Sequence, residues 1–341
     1  MLEVIAPGLL STVQDAGRAG YADLGVPSAG ACDPHALAVA NLLLDNPPDA
    51  PALEITIAGP AFSVGNTCVV GLAGADLGAY LVGVERPLVP GGAYLLRGGE
   101  TLAFAGEAAG SRAYLALPGG IAVPPVLGSA STYLAGGFGG LDGRPLRAGD
   151  VLRPAHGGDF HAAGRRWPAP SAFSPFPERE GGRGVRPVAP PTVRVVPGPH
   201  GDHFTPDALE TLIAATWEVG PQSDRMGLRL CGPVLAHSAP ARADLVSQGI
   251  VWGALQVPAD GQPIALLADH QTVGGYPVLA VAIRADWPLL AQLPPGAPVR
   301  FALTTIAEAQ AAYRAQQAAL RAAAEVARAP DLWERLLAGA E

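Results

Sequence analysis

No lysine occurs anywhere in the 341 residues; apart from histidine, every basic side chain is arginine. A P-loop, a Schiff-base enzyme and a biotin-bearing lysine are therefore excluded from this chain. Charge is scarce, at 15% of residues, and its balance is acidic, with a formal net charge of −8. No basic stripe is visible, so nucleic acid is not an expected partner. Cysteine is scarce too: Cys32, Cys68 and Cys231 are odd in number and widely spaced. That supports neither a disulfide framework nor a zinc site, and it fits free thiols in a reducing cytosol. No apolar run approaches a membrane span, and the opening Met-Leu-Glu-Val-Ile-Ala-Pro lacks the basic region and apolar core of a secretion signal. The expectation is a soluble, cytoplasmic protein with no membrane partner.

What is plentiful is hydrophobic residues, at 49%, punctuated by 44 glycines and 35 prolines. This is the composition of a packed globular chain built from short strands and turns. The length favours roughly two domains. Strands are expected at 2–6, 53–57, 61–64, 68–72, 79–82, 93–96, 101–105, 112–117 and 151–153. After an Arg-, Pro- and Gly-rich stretch at 157–191, strands resume at 192–197, 217–219, 227–230, 244–247, 250–257, 264–267, 278–283 and 299–303. Asp33-Pro34 is a strong helix start, with the helix running to about Leu44, and Thr205-Pro206-Asp207 opens a second helix in the same way. Residues 305–327 form a third, with Ile306, Tyr313 and Leu320 at heptad spacing, and 332–337 a further helical turn. A Leu-x-x-Gly turn before a late strand recurs at Leu146 and Leu293, a weak echo of two related β units.

Three polar clusters break this apolar pattern. The first, 14–33, brings Asp15, Arg18 and Asp33 among glycines, where backbone N–H groups approach a ligand closely and an arginine forks onto an oxyanion. Asp33 reads better as a helix cap; Asp15 and Arg18 divide evenly between ligand contact and an ordered loop. The second, 220–227, includes Ser223, Asp224 and Arg225. Ser223 is not in a nucleophile elbow, and Asp224 with Arg225 reads as an internal ion pair or a substrate clamp. The third, 269–277, joins two apolar strands as Asp-His-Gln-Thr-Val-Gly-Gly-Tyr-Pro, either a functional loop or a long hairpin turn whose glycines permit positive φ. His200-Gly-Asp-His203 resembles a fragment of a metal site but sits in a loop, and no metal is expected.

Taken together, Thr12-Val-Gln-Asp-Ala-Gly-Arg-Ala-Gly-Tyr21, Gly25-Val-Pro27, Asp33-Pro34, Ala52-Leu-Glu-Ile-Thr56, Gly59-Pro60, Ser223-Asp-Arg-Met-Gly227, Gln248-Gly249, Gln256-Val-Pro258, Asp260-Gly261 and Asp269-x-Gln-Thr-x-Gly-Gly-Tyr-Pro277 resemble the biotin-dependent carboxyltransferase-like family. That family is also described as allophanate hydrolase subunit 2-like or KipA-like. The likeness runs to about Tyr313, with Cys32 standing where methionine is usual. It implies a mainly β protein: two cyclophilin-like β-barrel domains at 1–156 and 192–304, a 157–191 linker, short helices, and a C-terminal helical segment at 305–341.

The resemblance implies one of three roles. The first is the C subunit of an ATP-dependent 5-oxoprolinase, acting with a KipI-like B subunit and an A subunit. The second is a carboxyltransferase acting on urea or a related amide, with biotin carried by another chain. The third is a non-catalytic regulator of a KipI-like partner. With no lysine for biotin, the first is preferred, with ATP and Mg as its cofactors in the complex. On that reading Arg18 and Arg225 hold anionic oxygens, and Asp15, Glu54 or Asp269 is the base or metal-associated acid, with Asp224 a further catalytic candidate. Gln271, Thr272 and Tyr276 orient a small amide substrate beside Gln14, Ser223, Gln248 and Gln256, and Gly274 and Gly275 meet backbone requirements.

Overall fold

The structure, a computed structural model, describes residues 1–84, 86–106, 109–157, 160–168 and 189–328. Its first half contains β1 (Leu2–Ala6), β2 (Leu10–Gln14), helix α1 (Pro34–Leu42), β3 (Ala52–Thr56), β4 (Ala61–Val64), β5 (Cys68–Asp76), β6 (Ala79–Leu81), β7 (Arg86–Pro87), β8 (Gly92–Leu96), β9 (Thr101–Phe104), β10 (Ala109–Ala116) and β11 (Val151–Leu152). These build a six-stranded sheet, β11-β1-β4-β9-β6-β7, facing a five-stranded sheet, β2-β3-β10-β5-β8. Alternate residues of both sheets, among them Leu2, Val4, Leu53, Phe62, Val70 and Leu115, meet in one core. The five-stranded sheet's other face is covered by α1, capped as the sequence anticipates: Asp33 Oδ1 accepts from the Ala36 N–H at 2.9 Å. The helix lies so close that a Cβ on Gly71 would stand 2.2 Å from the Ala40 carbonyl oxygen, which is why β5 has glycine there.

The second half contains β12 (Thr192–Pro197), helix α2 (Ala208–Ala214), β13 (Thr216–Val219), β14 (Gly227–Cys231), β15 (Gln248–Gly249), β16 (Ala254–Gln256), β17 (Ile264–Leu266), β18 (Val273–Gly274), β19 (Val278–Ala282), helix α3 (Trp287–Ala291), β20 (Pro298–Leu303) and helix α4 (Ile306–Arg328). Seven strands close a barrel, β12-β19-β16-β17-β14-β13-β20, sealed by the parallel pairing of β12 with β20. Trp217, Leu255 and Phe301 fill its interior. The mainly β architecture with short helices and a C-terminal helix is as the sequence anticipates. No described helix is long and apolar enough to cross a membrane.

Several local expectations are corrected. Leu10–Gln14 borders the stretch whose pattern marks a polar loop, yet it pairs along its whole length with β3. The strand expected over 250–257 begins only at Ala254, because Gly253 turns the chain at φ +84°. Residues 244–247 form no strand. α2 starts at Ala208, and Asp207 makes no side-chain cap bond, unlike Asp33. The 269–277 segment is no hairpin turn: β17 and β19 do not pair, and both flank β16. Part of 157–191 returns to the first half, where Trp167 N donates to Gly91 O at 2.7 Å and Ala93 N to Arg165 O at 3.0 Å. The helical turn expected at 332–337 lies outside the described residues.

Candidate functional site

Glu54 and Tyr114 face each other across the β3–β10 register, on the sheet face that looks toward the barrel's loops. Tyr114 Oη donates to Glu54 Oε2 at 2.6 Å, and the Cys32 N–H donates to the same oxygen at 2.8 Å. From the other half, Arg225 donates through Nε and Nη2 to the two oxygens of Asp269, each at 2.9 Å. Its Nη1 donates to Glu54 Oε1, and Nη2 also reaches the Gly30 carbonyl at 2.6 Å. Arg112, two residues before Tyr114 on β10, stands 3.8 Å from Glu54 and donates to the Ala291 carbonyl. Gln292 completes the joint by accepting from the Ser111 and Arg112 N–H groups and donating to Asp33 Oδ2 at 2.9 Å. Every side chain in this latch is buried: Glu54 is 1% exposed, Arg225 4% and Asp269 6%.

The electrostatics follow from that packing. Burial pushes Glu54 up, but Arg225 and Arg112, helped by the Tyr114 hydroxyl and the Cys32 N–H, outweigh it and hold its pKa below the usual value. Burial and the neighbouring Glu54 carboxylate raise the Tyr114 phenol well above its usual range. Burial alone would lower Arg225; the surrounding anionic groups reverse this and lock it in the charged form. A bidentate arginine with two further donors engaged by Glu54 and the Gly30 carbonyl is a joint between the halves.

Beside the latch runs a cavity of about 930 Å³. Its walls are the loop after β2, α1, the Ile250–Trp252 and His270–Thr272 turns, and α4. Arg18, only 2% exposed, lines it. Nη2 donates to the Ser131 carbonyl and the guanidinium lies 5.0 Å from the Phe138 ring centroid, but Nε and Nη1 find no hydrogen-bond partner among the described residues. Burial lowers the Arg18 pKa, with Asp15 and Asp269 acting the other way. Leaving buried charged donors unpaired costs about 1–3 kcal/mol or more each, so these two donors call for an acceptor, and an oxyanion is the group that would suit them best. Asp15, at the same mouth, accepts from Gly17 N at 2.8 Å, Ser129 Oγ at 2.6 Å, Ala130 N at 2.6 Å and Ser131 Oγ. Gln14 is fully buried, donating to Thr12 and Thr132 while its Oε1 lacks a partner among the described residues.

The structure thus gathers Asp15, Arg18, Thr272 and His270 at the cavity and puts Glu54, Arg225 and Asp269 in the latch next to it. Burial lowers the His270 pKa. Asp224 is exposed and caps its own turn through Met226 N, and Ser223 bonds Gly220 O and Arg229 N, so the ion pair is Arg225 with Asp269 and not with Asp224. Gln256, Gln271 and Tyr276 form a separate network under the β15–β18 ribbon: Gln271 Nε2 donates to Gln256 Oε1 at 3.2 Å, and Gln256 Nε2 to Tyr276 O at 3.4 Å. Gln248, on that ribbon, meets His200 at 2.5 Å, so one His200 nitrogen faces an amide and the other accepts from Val278 N. Gly274 and Gly275 are not in the positive-φ region; they are glycine for space, a Cβ on Gly274 falling 2.7 Å from Gln256 Nε2 and one on Gly275 3.1 Å from Leu245 O.

Sequence reasoning missed Arg112, Tyr114 and Gln292 in the latch. It also missed a stack across the cavity wall: Trp252 on Trp287 at 4.0 Å, Arg284 on Trp287 at 5.4 Å and Arg284 on Tyr313 at 4.7 Å. The i,i+2 spacing of Arg112 and Tyr114 on an apolar strand was the available signal. Nothing local marks Gln292.

Two β units are thus clamped by buried arginine–carboxylate pairs beside a donor-lined cleft, a two-part β architecture with its cleft along the joint. The carboxyltransferase domain, subdomain A and B, matches residues 24–303, and the chain belongs to that family. It is 37% identical over 93% of its length to the 5-oxoprolinase C subunit of Escherichia coli, covering 96% of that protein. It is 31% identical to the 5-oxoprolinase C subunit of Haemophilus influenzae, the match covering 91% of this chain and 93% of that one. Among solved structures it is similar to Kluyveromyces lactis urea carboxylase, with a TM-score of 0.83 and 28% identity over 94% of this chain, although it spans only 29% of that enzyme.

Proposed function

We propose that the protein is the C subunit of an ATP-dependent 5-oxoprolinase, which opens 5-oxo-L-proline to L-glutamate with ATP hydrolysis, in complex with a KipI-like B subunit and an A subunit. The observation that carries this reading is the end-to-end likeness to the 5-oxoprolinase C subunit, where each chain covers more than nine-tenths of the other. The buried, half-satisfied Arg18 supports it, because the substrate presents a carboxylate of matching charge. A lactam resists water through amide resonance. ATP with Mg, as co-substrate of the assembled enzyme, would phosphorylate the amide oxygen and release ADP; water would then add to the ring carbon, phosphate would leave, and the ring C–N bond would break to give the free amine and carboxylate of glutamate. In this chain Arg18 holds the substrate carboxylate while the latch keeps the cleft walls in register. The urea carboxylase likeness favours a second reading, a carboxyltransferase on urea or a related amide; with no lysine here, its biotin would come from elsewhere.

Co-expression with the two partner subunits should give 5-oxoproline-dependent ATP cleavage with glutamate release. Arg18→Gln should raise KM about 10–100-fold, the equivalent of one charge-assisted hydrogen-bond pair. Turnover of urea with a biotinylated carrier, and none of 5-oxoproline, would overturn the proposal.

A further inference from the structure

Residues 129–139 belong to none of the sequence motifs, yet they grip a buried guanidinium at the cavity that retains donors with no partner among the described residues. We infer that Asp15 and Phe138 are positioning residues for Arg18: the Asp15 carboxylate shapes 129–131, and the 129–139 segment then fixes the guanidinium with Nε and Nη1 left for a substrate carboxylate. This rests on the reading that Arg18 binds the carboxylate of 5-oxo-L-proline.

Four donors already converge on the two Asp15 oxygens, the Gly17 and Ala130 N–H groups and the Ser129 and Ser131 hydroxyls. With both oxygens so engaged, the carboxylate is held in one orientation and serves as a firm strut. What it holds is the Ser131 turn: Ser131 Oγ also accepts from Asp15 N at 3.0 Å, and Thr132 N donates to Val13 O at 2.9 Å. The Ser131 carbonyl then receives Arg18 Nη2. On the other side the Phe138 ring covers the guanidinium at 5.0 Å. Gly139 closes the bracket at φ +76°; a Cβ there would stand 2.0 Å from Ser131 O and 3.0 Å from Arg18 Nη2, so no side chain fits. Gly140 N pairs with Ala130 O at 2.9 Å, fastening the two arms of the segment together. A fixed guanidinium loses little freedom on binding its anion, so the bracket acts on affinity.

The test uses D15N, F138L, their double variant and the conservative F138Y, each assembled with the A and B partners. D15N and F138L should each raise KM for 5-oxo-L-proline about 10–100-fold with kcat within about threefold, and the double variant should be no worse than the weaker single, because they act on one unit. F138Y should restore wild-type KM, and the acid limb of the kcat profile should persist in D15N. If D15N instead removes that limb and lowers kcat about 1,000-fold at unchanged KM, Asp15 is a base and the inference falls. A second readout needs no turnover: in the full-length chain the Arg18 Nη2–H held by the Ser131 carbonyl should be protected from solvent exchange, and F138L and D15N should abolish that protection. Equal protection in F138L and wild type would also overturn it. A wild-type complex without 5-oxoproline turnover sinks the proposed function, while the exchange measurement still judges the bracket.

Discussion

Replacing Arg225 by methionine keeps most of the side chain's volume and removes the charge and the donors that engage Asp269, Glu54 and the Gly30 carbonyl. Glu54 would keep the Tyr114 hydroxyl, the Cys32 N–H and Arg112 at 3.8 Å, so its loss is partial. Asp269 would lose both of its 2.9 Å bonds and remain 6% exposed with a bare carboxylate. Breaking a buried ion pair by removing one partner costs about 3–5 kcal/mol. At roughly 2–4 °C per kcal/mol for chains of this general size, the melting temperature should fall by on the order of 10 °C. The double variant R225M/D269N should recover part of that, because the stranded charge is gone while Glu54 keeps its partners. Thermal unfolding followed by circular dichroism reads both numbers. Should R225M melt within about 2 °C of wild type, or the double variant melt below R225M, the latch does not hold the halves together.

Two more outcomes follow from the same electrostatics. Partial burial pushes Asp45 up, but hydrogen bonds from His161, Arg165 and Arg328 outweigh it and hold its pKa at about 2, below the ordinary 3.8. The stability it lends is therefore full above about 3.8 and lost as pH falls toward about 2. Hydrogen exchange in the last turn of α4, tied by Arg328 to Asp45 at 2.6 Å, should accelerate across that window and be fast at neutral pH in Asp45→Asn; equal neutral-pH rates in the two proteins would refute the tether. Native-state thiol labelling should modify exposed Cys231 quickly and spare Cys68 and Cys32, the latter pushed up to about 11 by burial first and foremost. Two fast thiols would contradict the placement of Cys32 inside the latch.

Most strands were legible because their cause is local. Leu2–Ala6, Ala61–Val64 and Thr192–Pro197 appear where alternation and flanking turn residues place them. Asp33-Pro34 starts its helix for an equally local reason. The polar strand β2 was harder to see: Leu10–Gln14 carries Ser, Thr and Gln because it is buried against partners 118 residues away in sequence, as the Gln14–Thr132 bond shows. The site was half legible. Arg18 and Asp15 could be chosen as polar residues among glycines, but which of Arg18 and Arg225 keeps free donors depends on Gly30, Glu54 and Asp269, three distant segments. Residues 129–139 offered no charged residue to notice, since their contribution is a carbonyl, a backbone N–H, two hydroxyls and a ring.

The seam of the barrel has a consequence for synthesis. β12 and β20 are its first and last strands, and they pair with each other in parallel. About a hundred residues separate them, so at 5–20 residues per second the ribosome needs roughly 5–20 s to deliver the closing strand. The first half, already fully translated, is free to fold in that interval, whereas β12 must wait with both edges open until β19 emerges and with one open until β20 does. The nascent chain is most exposed to mispairing in that interval, and chaperone demand should peak there.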